Sequence, residues 1–117
     1  MLVVEDEALV AMELAGLLQQ QGCTVMGPAS SIGRALALLQ TQRPDAALLD
    51  LNLNGQSALP VAAVLYERGV PCAVISGYTR AESDKPELTR ALWLTKPVSH
   101  PALVRTLKQM LTTTLPG

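Results

Sequence analysis

Glu5-Asp6-Glu7, Asp50, Ser76 and Lys96 are the residues of this sequence whose chemistry fits together. Three carboxylates brought close repel one another and raise at least one pKa unless a cation neutralises them. Oxygen ligands without His or Cys favour a hard ion such as Mg²⁺, which keeps several waters and completes its shell with phosphate oxygens. A carboxylate beside that ion is suited to attack phosphorus and form an acyl phosphate. In that chemistry Asp50 is the nucleophile, Lys96 a point charge for phosphoryl oxygens and the Ser76 hydroxyl a hydrogen-bond donor. Taken singly, each feature has a plainer use. An Asp after a strand caps a turn, an acidic cluster complements a helix N-terminus, and Ser-Gly or Lys-Pro is an ordinary loop.

What lifts them above that is position, because each follows a short apolar run. Leu2–Val4, Thr24–Gly27, Ala46–Leu49, Cys72–Ile75 and Ala91–Leu94 read as strands, the second ended by Pro28. Ala46–Leu49 shows no polar alternation, as expected for a strand covered on both faces. Between them lie stretches with helical spacing. Glu7–Gln21 carries Leu9, Val10, Met12, Leu14, Leu17 and Leu18 and stops at Gly22. A second helix, capped by Ser30 or Ser31, ends at Arg43-Pro44. A third starts from Ser57 with Pro60 in its first turn and runs to Gly69. A last one, capped by Ser99, presents Leu103, Val104, Leu107, Met110 and Leu111, with a frayed tail from Thr112. Asn52–Gly55 is turn-like, and the polar residues 80–90 support only a weak, short helix. This order predicts an α/β domain, with a parallel sheet, right-handed crossovers and helices on both faces. Sites in such sheets form outside the carboxyl ends of the strands, where all these residues fall.

Composition narrows the classes further. The chain has 117 residues, enough for one domain, and is 49% hydrophobic but only 3% aromatic with no Phe, so Leu, Val, Ala and Ile must build the core. A net charge of −1 leaves no electrostatic footprint for direct nucleic-acid binding or for acidic membranes. No apolar run approaches the ~18 residues of a membrane span, and no leader is expected. Cys23 and Cys72 are far apart in sequence and in no CxxC pair, so free thiols in a cytoplasmic protein are expected.

Val3-Val4-Glu5-Asp6-Glu7, Leu48-Leu49-Asp50, Ile75-Ser76-Gly77 and Leu94-Thr95-Lys96-Pro97 together resemble the receiver domain of two-component response regulators, in order and approximate spacing, from about Leu2 to Leu111. The resemblance implies a flavodoxin-like (βα)₅ doubly wound parallel sheet of strand order 2-1-3-4-5. It implies phosphorylation of Asp50, with Glu5 and Asp6 as the acidic pair and Asp6, of the two, the one expected to bind Mg²⁺ directly. The Asn52 backbone carbonyl is implied as a further ligand, Ser76 as the switch hydroxyl and Lys96 as the family's lysine. Partners implied are a sensor histidine kinase or phosphotransfer protein and a downstream protein; a homodimer is allowed, although the short 80–90 segment argues against the family's usual dimer face. Gly27-Pro28-Ala29-Ser30-Ser31, the absence of a proline soon after Asp50, and Ser76-Gly77-Tyr78 further resemble an atypical, often stand-alone group, some of whose members serve general-stress-response kinases in alphaproteobacteria. That group reads Thr where this chain has Ser76. Trp93 occupies the position where the family carries a rotating Tyr or Phe, and here a moving switch and a fixed wedge are equally consistent with its size.

Two other functions compete with a phosphoacceptor. A degenerate receiver would keep the pocket as an interaction module indifferent to phosphorylation, against which the complete acid, hydroxyl and lysine set argues. A haloacid-dehalogenase-like phosphatase would need a second Asp where Asn52 stands, and a flavodoxin would need a hydroxyl-rich phosphate loop where Glu5–Glu7 stand. No enzymatic turnover is expected beyond self-phosphorylation from small donors and slow loss of the acyl phosphate.

Overall fold

The computed structural model describes residues 1–76, 91–96 and 98–114, the last four of them by backbone alone. Gly77, Tyr78, Pro97 and the 80–90 segment lie outside the described residues. In chain order the elements are β1 (Leu2–Val4), α1 (Ala8–Gln20), β2 (Met26–Ala29), α2 (Ile32–Thr41), β3 (Ala47–Asp50), β4 (Asn52–Leu53), β5 (Gln56–Ser57), α3 (Leu59–Glu67), β6 (Cys72–Ser76), β7 (Leu92–Thr95) and α4 (His100–Thr114).

Five strands form one sheet in the order β2-β1-β3-β6-β7, all neighbours parallel, which is the 2-1-3-4-5 order of a flavodoxin-like sheet. Successive residues of a strand point to opposite faces, and both faces here are apolar. Leu2, Val4, Ala47, Leu49 and Val74 pack with Ala35 and Leu39 of α2 and with Val61, Ala62 and Leu65 of α3. Val3, Leu48, Ala73, Ile75 and Leu94 pack with Leu14, Leu17 and Leu18 of α1 and Leu103, Leu107 and Met110 of α4. The uninterrupted apolar runs are therefore two alternating sets, each with its own pair of helices. Burying each Leu or Val contributes about 1.5–3 kcal/mol before entropy is counted.

The strand ends are in step. Val4 lies opposite Leu49, Asp50 opposite Ile75, and Ser76 opposite Thr95. Residues that follow these strands thus emerge at one edge of the sheet.

Several boundaries differ from the sequence expectation. β2 runs to Ala29 rather than stopping at Pro28. Among the described residues it is an edge strand paired only with β1, where a missing N–H is tolerated. Ser31, not Ser30, caps α2, its Oγ accepting from Arg34 N–H at 3.1 Å. Ala58 is the residue preceding α3, although the Ser57 hydroxyl still accepts from Leu59 N–H. The Asn52–Gly55 turn is the tip of a two-stranded hairpin, β4 against β5. α4 keeps its helical backbone to Thr114, while Ser99 caps it as expected through Ala102 N–H. Cys23 and Cys72 are free thiols, and burial pushes the Cys72 thiol up to about 12.

Gly27 holds the chain where β2 meets β1. Its φ is +93°, and a Cβ there would stand 2.6 Å from the Ala29 amide nitrogen and 3.2 Å from the Val3 carbonyl oxygen. Both neighbours are backbone in a paired strand. Gly27→Ala is expected to cost about 2 kcal/mol or more, combining left-handed strain with the clash. Urea denaturation checks this; an unchanged midpoint would contradict the close approach.

Candidate functional site

The site is built from the loops that leave β1, β3 and β7. Asp50 ends β3 and is 1% exposed. Its Oδ1 accepts from Asn52 N–H at 3.0 Å, and its Oδ2 accepts from Lys96 Nζ at 2.9 Å. Lys96 is aimed there by the sheet, since its own N–H donates to the Ser76 carbonyl at 3.0 Å as the chain leaves β7. The cation is about one-third exposed whereas the Asp50 side chain is nearly dry. Lys96 thus contacts the proposed nucleophile itself in this structure, rather than waiting for phosphoryl oxygens.

Glu5 and Asp6 follow β1 and behave differently. Glu5 is buried; its Oε2 accepts from Glu7 N–H at 3.1 Å, which also ties down the residue preceding α1. Its Oε1 is buried with no hydrogen-bond partner among the described residues. Burial raises the Glu5 carboxyl to about 7, and the neighbouring Asp6 and Asp50 carboxyls add to the rise while the Glu7 amide opposes it. Asp6 is held below the usual carboxylate range. Burial pushes it up, but hydrogen bonding with Glu5 and the Asn54 amide and the charge of Lys96 outweigh that. For Lys96, partial burial works against the charge, and the Asp50 contact together with Glu5 and Glu7 raises its pKa nonetheless.

The hairpin after β3 closes the site from above. Asn54 N–H donates to Asp6 Oδ2 at 3.0 Å across 48 residues of sequence. Asn54 and Gly55 both have positive φ, 51° and 82°, as a type I′ turn requires. The Asn52 side chain braces that turn, its Oδ1 accepting from Gly55 N–H at 2.8 Å. Sequence reasoning placed Asn52 at the site through its carbonyl but missed the Asn54 amide, although Asn-Gly between paired residues is a strong hairpin signal. Ser76 is buried at the end of β6, one strand over from Asp50. Trp93 is half-buried against the α2/α3 core, opposite Val74, with its indole Nε1 buried and unpartnered among the described residues. In this conformation it is a packed wedge.

One oxygen from each of Glu5, Asp6 and Asp50 lies within 4.8 Å of the others. Opposite corners of a Mg²⁺ octahedron are about 4 Å apart, so small side-chain adjustments suffice for all three to share an ion. The orphaned Glu5 Oε1 and the all-oxygen donor set fit a hard divalent cation.

A doubly wound sheet with acids, a hydroxyl and a lysine at its carboxyl edge defines a receiver domain, and comparison with known proteins agrees. The family model "Response regulator receiver domain" matches residues 1–108, and the chain belongs to that family of two-component systems. The positive alginate biosynthesis regulatory protein of Pseudomonas aeruginosa is 37% identical over 112 residues, covering 92% of this chain and 45% of that protein. The transcriptional regulatory protein PdtaR of Mycobacterium tuberculosis is 27% identical over 82 residues, 69% of this chain and 40% of its own length. The chain thus spans less than half of these relatives. Among solved structures, the receiver domain of the Erythrobacter litoralis response regulator PhyR superposes with TM-score 0.84 at 28% identity, covering 99% of this chain and 92% of that one. No helix among the described residues is long and apolar enough to cross a membrane.

Glu5→Gln gives the orphaned position an amide donor facing carboxylate oxygens and removes one buried negative charge. At pH 8 without divalent cations the variant is expected to be more stable by about 1–3 kcal/mol in urea denaturation. Equal or lower stability would show that the Glu5 carboxylate is not strained by its neighbours.

Proposed function

We propose that this chain is a phosphoacceptor, taking a phosphoryl group on Asp50 from a phosphohistidine of a sensor kinase or phosphotransfer protein. The observation that carries this is the Asp50 cradle: a buried carboxylate held by Asn52 N–H and Lys96 Nζ beside two further acids.

In the proposed transfer an Asp50 oxygen forms a bond to phosphorus as the phosphorus–nitrogen bond of the donor breaks, leaving the electron pair on nitrogen. Lys96 then exchanges its contact with Asp50 for phosphoryl oxygens, keeping its charge beside the group that gains negative charge. The Ser76 hydroxyl donates to the same group. Glu5, Asp6, Asp50 and the Asn52 carbonyl would hold Mg²⁺, which when bound offsets the repulsion between the carboxylate and the phosphoryl oxygens. No turnover of external substrates is proposed, only self-phosphorylation from small donors and slow hydrolysis of the acyl phosphate. The modified domain signals through a protein partner or drains phosphate from its kinase, and the chain spans too little of its relatives to carry their output to this protein.

Incubation with Mg²⁺ and acetyl phosphate, followed by intact-mass measurement, is expected to show one phosphoryl adduct on the natural sequence and none on Asp50→Asn. Lack of a Mg²⁺-dependent adduct, or one that survives Asp50→Asn, would overturn the proposal.

A further inference from the structure

Between α1 and α4 the surface opens into a groove of about 390 Å³. Its floor is apolar, made by Val10, Leu14 and Leu17 of α1, Leu103 of α4 and Ile75 of β6. Leu14, Leu17, Leu103 and Ile75 belong to the core on that side of the sheet, so the groove reaches into the packed interior. A cavity of a few hundred Å³ with an apolar floor and few polar groups is the usual form of a small-molecule site.

The rim decides what charge it takes. Glu7 and Glu13 stand exposed on the α1 wall, one before the helix and one in its second turn. Among the described lining residues Lys96 is the cation on the lip, and its Nζ is already on Asp50 at 2.9 Å. Glu5, Asp6 and Asp50 lie just beyond it. Among the described residues lining the groove, two exposed carboxylates therefore face one lysine that is already paired. His100 adds an imidazole on the α4 wall. An anion entering would meet that excess of acids, whereas an organic cation meets complementary charge on Glu7 and Glu13 above a floor for its apolar part. Inorganic cations gain nothing from such a floor.

We propose that the α1/α4 groove is a binding site for a small organic cation, a protonated amine on a compact apolar body, with its charge against Glu7 and Glu13. Nothing in this depends on phosphorylation of Asp50, and the site is separate from the Glu5, Asp6 and Asp50 cluster while sharing the Lys96 side chain as a wall.

Three isosteric probes test it on the whole chain: naphthylmethylammonium, naphthylmethanol and naphthoate, each titrated while amide chemical shifts are followed. The expected result is saturable binding of the ammonium probe, with shifts centred on Val10, Leu14, Leu17 and Leu103. Its affinity should exceed that of the alcohol by about three- to fivefold, as for exposed charge pairs, with naphthoate weakest. Glu13→Gln, a change at an exposed helix position, should reduce the ammonium advantage and leave the alcohol unaffected. Non-saturating shifts, equal affinity for all three probes, or tighter binding of naphthoate would overturn the proposal. So would an ammonium preference that Glu13→Gln does not change.

Discussion

Like charges crowded at one sheet edge are the constraint around which this protein is arranged. Glu5 and Asp50 are buried, Asp6 sits beside them, and Lys96 is the cation that reaches Asp50. Burying acids without full compensation costs stability, and the cost is visible in the orphaned Glu5 oxygen and in its raised pKa. Such an arrangement persists only where the surrounding scaffold over-determines it. Here the scaffold is a two-sided apolar sheet whose strands end in register, so the acids leave it side by side.

The loops reinforce that placement. The Glu7 amide fixes Glu5 at the start of α1, the Asn52 amide fixes one oxygen of Asp50, and the Asn54 amide fixes Asp6. Each acid is thus oriented by a backbone donor, leaving other oxygens to face one another. Backbone donors are firmer than long side chains because their positions are set by strands and turns. This pre-orientation is what the proposed phosphoryl transfer asks of a site, since such catalysis is mostly positioning and charge. Trp93, packed on the α2/α3 face of the sheet with an indole N–H unpartnered among the described residues, stores a different kind of unsatisfied polarity.

Much of the site was legible because it obeys a positional rule. Residues following the apolar runs meet at the carboxyl edge of a parallel sheet, so Glu5, Asp6, Asp50, Ser76 and Lys96 were findable from type and position alone. Boundaries were less legible. Pro28 stops a strand by local rules, yet an edge strand accommodates it, and edge position is a property of the sheet. Ser57, three residues before Pro60, reads as a cap, yet the hairpin pairing of Asn52 with Ser57 draws that serine into a strand.

The sequence by itself determined the alternation of apolar runs and amphipathic helices, and with it the parallel α/β fold and the set of acids, hydroxyl and lysine at one edge. These follow from periodicity and residue type, which are local. The tertiary structure alone decided that Lys96 lies on Asp50, that Glu5 is buried with one oxygen unpaired, that Asn54 reaches Asp6, and that α1 and α4 stand far enough apart to leave a groove with an acidic rim. Those facts depend on distances between residues dozens of positions apart, and only packing sets such distances.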